Sequence, residues 1–341
     1  MTDIRSMYKT ELKELMERLG QKSFRAGQIF KWLHASMADS YEEMTDLSKA
    51  LRSEMAEKFP IYGARCVTHL KSSIDGTEKF LFALHDDNVI ESVLMRYNHG
   101  NSVCISSQVG CRMGCAFCAS TLEGCVRDLS ASEMLAQVYS IQKISGERVS
   151  NVVVMGSGEP LDNYDNLIRF IKLLSDPDGL NISRRSITVS TCGLVPKIIE
   201  LADEELAITL AVSLHAPNDE KRKALMPVAK KYSMDELLSS CRYYFEKTGR
   251  RVTFEYALVE GANDSREDAK ELAKRLSGMN CHVNLIPVNP VEERDCKRPA
   301  AEACRAFAGA LDKYGVNATV RRELGSDISA SCGQLRRSYL N

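Results

Sequence analysis

The sequence contains no run of about 18 consecutive apolar residues, so no membrane-spanning helix is expected. It lacks a surplus of either charge: 45 Lys and Arg stand against 46 Asp and Glu, a formal net charge of −1. Nothing at the level of the whole chain therefore marks a nucleic-acid binder. Basic doublets and triplets do recur, as at Arg184-Arg185, Lys221 to Lys223, Arg250-Arg251 and Arg321-Arg322. Such doublets are read as solvated surface, although local patches rather than net charge set phosphate affinity. No internal repeat and no low-complexity segment stands out. The first residues, MTDIRSMYKTELKELMERLG, are charged and amphipathic and lack the apolar centre of a signal peptide. The protein is accordingly expected in the cytosol, where thiols stay reduced, and a disulfide framework is not expected there.

What the chain does have is cysteine, 12 in 341 residues, in an otherwise ordinary composition of 44% hydrophobic and 27% charged residues. In a reducing compartment these read as metal ligands, catalytic groups or buried fillers. The length allows one large catalytic domain with a smaller appendage.

Residues 1–60 carry helical periodicity, as in YKTELKELMERLG and FRAGQIFKWLHAS, with Gly20 as a stop signal. A β-rich passage follows over 61–107, with EKFLFAL, VIESVLM and SVCISSQ separated by turn-like HDDN and RYNHGN. From 108 to 341 the pattern alternates. Strand candidates at 152–156, 186–191, 208–214, 252–258, 282–288 and 316–322 are interleaved with amphipathic helical stretches. Strand–helix repetition of this kind predicts an α/β protein built on a partial parallel (β/α) barrel. The unusual residues cluster just after the strands: the cysteine loop, then GSGEP, STCG, SLH and NPV. In a βα barrel those C-terminal strand ends form the active-site face.

Four cysteines fall within CISSQVGCRMGCAFCAS, and Cys111, Cys115 and Cys118 have C-x3-C-x2-C spacing. Three thiolates on one loop can hold three irons of a 4Fe–4S cluster and leave the fourth iron open. The competing reading is a structural zinc site with Cys104 as the fourth sulfur, but zinc ligands usually come as two separated pairs. Gly110, Gly114 and the aromatic Phe117 favour the cluster.

The string C-x3-C-x-F-C matches the signature of radical S-adenosylmethionine (SAM) enzymes. Together with GSGEPLDN, STCGLVP, SLHAPND, HVNLIPVNP and ISASCGQLR, the cysteine stretch closely resembles the RlmN/Cfr family of RNA adenine methyltransferases, over about Glu91 to Arg336. The resemblance implies a radical SAM partial TIM-type barrel with an N-terminal helical accessory domain that binds RNA and a β-rich connecting segment. It implies cluster ligation by Cys111, Cys115 and Cys118, and SAM contacts from Gly158, Glu159, Ser190, Ser213, Leu214, His215 and Asn289. Cys332 is implied as the methyl carrier, S-methylated by one SAM before a second supplies the radical. Cys104 is implied as the thiol that releases the adduct by forming a disulfide with Cys332, and Glu91 as the acceptor of the ring proton.

The remaining cysteines, Cys66, Cys125, Cys192, Cys241, Cys281, Cys296 and Cys304, are read as small apolar fillers. GEPLDN and NLIPVNP point to the family branch that methylates carbon 2 of adenine; the alternative is the carbon-8 branch that protects ribosomes from antibiotics. Ser157 stands where many members have Met. The implied partners are 23S rRNA, tRNA and an electron donor such as a flavodoxin or ferredoxin, with no membrane and a monomeric enzyme. Arg25 and Lys31 are expected to meet RNA backbone. Two rivals predict otherwise: a zinc-stapled RNA-binding protein without catalysis, and a radical SAM enzyme acting on a small molecule.

Overall fold

The computed structural model describes residues 3–289 and 294–328. Three helices come first: α1 (Lys9–Arg18), α2 (Phe24–His34) and α3 (Lys49–Lys58). Strands β1 (Arg65–Lys71), β2 (Glu78–Ala83), β3 (Val89–Tyr97) and β4 (Gly100–Ile105) follow. A short ribbon, β5 (Gln108–Gly110) with β6 (Cys125–Asp128), brackets the cysteine loop. Alternation then begins with α4 (Ala131–Ser145), β7 (Val149–Val154), α5 (Tyr164–Leu174), β8 (Ile187–Thr191), α6 (Val195–Asp203) and β9 (Thr209–Ser213). It continues with α7 (Asp219–Leu225), α8 (Met234–Thr248), β10 (Val252–Leu258), α9 (Arg266–Leu276), β11 (Cys281–Pro287), α10 (Ala301–Lys313) and β12 (Ala318–Val320).

Helix boundaries follow from local chemistry. Ser130 with Glu133, and Ser233 with Glu236, form capping boxes that open α4 and α8. Gly146 and Gly249 close the same helices in the left-handed conformation, at φ 68° and 64°, where a side chain would be strained.

One ten-stranded sheet runs in the order β1-β2-β3-β4-β7-β8-β9-β10-β11-β12. Strands β4 and β7 to β12 are parallel, and β1 to β4 form an antiparallel flank. The predicted α/β partial barrel is therefore the observed fold. Its first parallel strand is β4, and the β-rich passage joins the barrel sheet directly through it.

Residues after β12 cross from one edge of the sheet to the turn after β1. Gly325 N–H donates to Asp75 Oδ2 at 2.9 Å, and Ser73 N–H donates to Asp327 Oδ2 at 2.9 Å. The N-terminal helices dock on the outer helices. The Arg5 guanidinium, fully buried, donates to Ala38 O at 2.7 Å and lies over the Tyr139 ring of α4. From α5, Arg169 forms paired bonds to Glu11 of α1 at 2.6 and 3.0 Å. No helix among the described residues is long and apolar enough to cross a membrane.

Candidate active site

The cysteine loop is held from three sides. Gly110 has φ +79°, and a Cβ there would meet Gly124 O at 2.0 Å, so only glycine lets β5 and β6 close. Cys111 N–H donates to that same Gly124 carbonyl at 2.8 Å, and Ala116 N–H to Leu225 O at the end of α7 at 2.9 Å. The Thr121 hydroxyl donates to Cys118 O at 2.9 Å.

The loop that follows β7 is pinned to the start of β5. Ser157 O accepts from Ser107 N–H and Gln108 N–H at 2.9 and 3.1 Å. A Cβ on Gly158, at φ +107°, would lie 2.7 Å from Gln108 N, so the close approach again demands glycine. Glu159 N–H donates to Gln108 Oε1 at 2.9 Å, while its carboxylate accepts from Cys192 N–H at 2.6 Å and Leu161 N–H at 3.0 Å. That buried carboxylate is fixed in one orientation, and burial pushes its pKa up.

These loops surround a cavity of about 350 Å³ at the C-terminal ends of the parallel strands. Of the residues singled out from sequence, Cys104, Cys111, Cys115, Cys118, Gly158 and Glu159 line it, as do Ser190, Ser213, His215 and Asn289. Two do not. Leu214 lies between Ser213 and His215, and its side chain is buried in the hydrophobic core. Glu91 sits beside the cavity on β3, buried, with its carbonyl accepting from the Ser106 hydroxyl at 2.8 Å. Cys332 lies outside the described residues.

Cys104 faces the cavity from β4 among Val93, Met95 and Met155, apart from the cysteine loop. Cys111 and Cys115 are buried thiols. Burial pushes the Cys111 thiol up to about 12 and the Cys115 thiol higher, and both feel the charge of Cys118 and of Glu159. Among the described residues, no three His, Cys, Asp or Glu side chains are gathered for a single metal ion. A cluster that takes one thiolate on each of three irons does not require such convergence.

His215 is the most constrained lining residue. It has φ 56°, its Nδ1 accepts from Ala257 N–H at 2.8 Å, and its ring meets Phe117 edge-on at 4.7 Å. Burial, reinforced by Arg222, lowers its pKa to about 3, so the ring is neutral with its proton on Nε2.

Sequence reasoning missed several neighbours. Cys192, read as a filler, lines the cavity, packs with Cys115 and supplies the N–H that anchors Glu159. Glu255 also lines it, its pKa raised by burial and its Oε2 accepting from Asn284 at 2.7 Å. A lone acid inside the apolar strand VTFEYAL was the available signal. Arg222, in a basic triplet read as solvated surface, is fully buried, because α7 turns it inward beneath the ends of β8 and β9. Arg321 and Arg322 line the cavity. Arg25, expected at an RNA interface, donates to Gln28 Oε1 and Asp46 O at 2.8 and 3.0 Å, whereas Lys31 is exposed.

A partial parallel barrel with three thiols on the loop after its first strand is the architecture of the radical SAM superfamily. The family model described as the Radical SAM superfamily matches residues 105–276, and that of the ribosomal RNA large subunit methyltransferase N-terminal domain matches residues 2–61. A crystal structure of a radical SAM methyltransferase from Sphaerobacter thermophilus superposes with a TM-score of 0.94 at 44% identity, covering 98% of this chain and 99% of that one. A protein from Lachnospira eligens, named a probable dual-specificity RNA methyltransferase RlmN, is 62% identical over 100% of this chain and 97% of its own length. One of the same name from Clostridium novyi is 54% identical over 100% of this chain and 99% of its own. The chain belongs to the RlmN family of radical SAM proteins.

Proposed function

We propose that this chain is an RNA methyltransferase of the RlmN type, which methylates carbon 2 of adenine in 23S rRNA and in tRNA. The observation that carries the reading is the cavity itself, with Cys104 on one wall and the thiols of the cysteine loop on another. Two relatives, 62% and 54% identical along the whole chain, are named probable dual-specificity RNA methyltransferases.

The family implies a 4Fe–4S cluster and SAM, and the donor set fits both. Cys111, Cys115 and Cys118 would hold the cluster. Gly158, Glu159, Ser190, Ser213, His215 and Asn289 would hold SAM, with the Glu159 carboxylate receiving its ammonium and hydroxyls of the two serines meeting its carboxylate or ribose. When bound, the two groups supply a carbon radical through reductive cleavage of SAM, chemistry that no side chain offers. Carbon 2 of adenine lies between two ring nitrogens and is electron-poor, so it cannot attack a methyl group as an amine would.

The chain's own residues do the rest. Cys332 takes a methyl group from one SAM molecule and carries it to the base, so a turnover consumes two. Glu91 accepts the proton lost from the ring. Once the adduct has lost that proton and passed one electron to the redox partner, the Cys104 thiolate attacks the Cys332 sulfur. The carbon–sulfur bond breaks, the freed carbon takes up a proton to become the methyl group, and a reductant must reopen the disulfide left behind. Val93, Met95 and Met226 give the cavity apolar walls. Residues 1–60 act as the RNA-binding accessory domain, 61–107 as the connector and 108–341 as the core. The enzyme works as a cytosolic monomer fed by a flavodoxin or ferredoxin.

The test is to give anaerobically reconstituted protein SAM, a reductant and 23S rRNA or tRNA fragments, and to identify the nucleoside by mass spectrometry. 2-Methyladenosine is expected. 8-Methyladenosine would place the chain in the other branch, and an unmodified RNA with active SAM cleavage would favour a small-molecule substrate.

A further inference from the structure

Arg222 is a buried cation with too few partners. Its side chain is fully enclosed, yet only Nη2 is engaged, donating to Cys192 O at 2.8 Å and Ser213 O at 3.4 Å. Nε and Nη1 have no hydrogen-bond partner among the described residues. A guanidinium in the interior ordinarily faces a carboxylate, because an unpaired buried charge costs several kcal/mol. The negative groups that act on it are, largest first, the Cys192 thiol, the Asp219 carboxylate and the thiols of Cys115 and Cys241. The Asp219 carboxylate accepts from Met234 N–H at 2.8 Å. Burial lowers the Arg222 pKa, as expected for a cation whose compensation is incomplete.

Its position gives the reason. Leu225 and Met226, one turn further along the chain, pack against Cys115 and Cys192. Gly193, at φ +101°, brings backbone so close that a Cβ there would lie 3.1 Å from Nη2. Arg222 does not line the cavity; it stands behind the wall that carries Cys115 and Cys192. The elements around it thus hold a fixed positive charge just outside the thiol-bearing mouth.

We infer that Arg222 is the built-in counter-charge of the cysteine loop: its guanidinium is balanced by the negative charge that the thiolates of Cys111, Cys115 and Cys118 carry when they bind the cluster. This rests on the cluster reading above. The pairing acts through space, so Arg222 is a positioning and tuning residue rather than a ligand. A fixed cation stabilises the more negative, reduced form of a cluster and raises its reduction potential. Its carbonyl bonds also tie the end of β8 to the end of β9, and a purely structural role would stop there.

The two roles separate when charge is removed while length is kept. R222Q, and R222M as a second neutral variant that requires no hydrogen bond, are compared with R222K, which keeps the charge but loses the planar fork. Each is reconstituted anaerobically, its iron and sulfide are counted, and its midpoint potential is measured by redox titration followed by electron paramagnetic resonance. A more negative potential is expected for whichever neutral variant folds and loads, with R222K close to wild type. Equal potentials in wild type and a loaded neutral variant would overturn the inference while leaving the cluster reading intact. A shift of the same size in R222K would overturn it too, in favour of the strand clamp. Wild-type protein that takes up no iron–sulfur cluster would overturn both.

Discussion

Lys79 Nζ lies 3.4 Å from Glu91 Oε2 inside the antiparallel flank, and both side chains are almost fully buried. Register puts the pair on the cavity side. Lys79 opposes Val93, and Val93 opposes Cys104, so all three share one face, with Glu91 two residues from Val93 on that face. A buried ion pair is strongly destabilised by loss of one partner, by roughly 3–5 kcal/mol, and much less by loss of both. Lys79→Met and Glu91→Leu are each expected to cost about that much in urea denaturation, and the double variant clearly less than their sum. Additive costs would show that the two charges do not depend on each other.

A second expectation concerns the loop after β7. In Gly158→Ala the new Cβ would press on Gln108 N and the Ser107 hydroxyl, each at 2.7 Å, in a conformation that side chains rarely adopt. Strain of this kind is of order 1–3 kcal/mol, and here it acts next to Glu159. The variant should keep its iron and lose SAM affinity at least tenfold, measured by anaerobic equilibrium dialysis. Unchanged SAM binding would remove Gly158 and Glu159 from the cofactor site.

Much of this arrangement was legible because strand ends announce themselves. VTFEYAL at 252–258 is β10 residue for residue, and the motifs after β7, β8, β9 and β11 meet at one cavity. What stayed hidden depends on direction rather than composition. The β5–β6 ribbon is only 3 and 4 residues long with a register shift at Gly110, too short to show a period. Cys192 and Arg222 looked like a filler and a surface charge, since nothing local reveals that α7 packs beneath the ends of β8 and β9. Lys221, the neighbour of Arg222, is partly exposed and pairs with the buried Asp268 of α9 at 2.7 Å.

Acid stability offers a third check, far from the cavity. His34 is buried where α2 meets α4, and its Nδ1 lies 2.9 Å from the Tyr139 hydroxyl. Burial, with Arg5 and Lys9 nearby, lowers its pKa to about 3. The unfolded chain, with a histidine pKa near 6.5, therefore binds more protons than the folded one between those values. Stability should be complete above about pH 6.5 and fall on acidification, by about 2 kcal/mol from this residue at pH 5. His34→Gln should flatten that part of the stability–pH curve. An unchanged slope would mean that His34 does not resist protonation in the fold.

The metal assignment is tested by removing one thiol at a time. Replacing Cys111, Cys115 or Cys118 by Ala should abolish the brown colour and the stoichiometric iron of reconstituted protein. Cys104→Ala should retain both, because its side chain packs with Val93 and Met95 rather than with the cysteine loop. Stoichiometric zinc that requires Cys104 would restore the zinc-site alternative.

The division of labour between Cys104 and Cys332 makes the sharpest prediction. A methyl carrier and a releasing thiol fail at different stages when deleted. Without Cys332 no methyl group can be lodged on the protein, so Cys332→Ala should bind iron and SAM, and radiolabelled methyl should never become protein-bound. Without Cys104 the carrier is still methylated and still adds to adenine, but the sulfur–carbon bond then has no internal thiol to release it. Cys104→Ala should accumulate a stable crosslink to RNA through Cys332. It would appear as a band shifted on a denaturing gel that nuclease trims to a small adduct, located by peptide mass spectrometry. Cys104 faces the cavity from β4, so the position it must attack from is already in place. Free turnover by Cys104→Ala, or RNA methylation by Cys332→Ala, would overturn this mechanism and leave the cluster assignment standing.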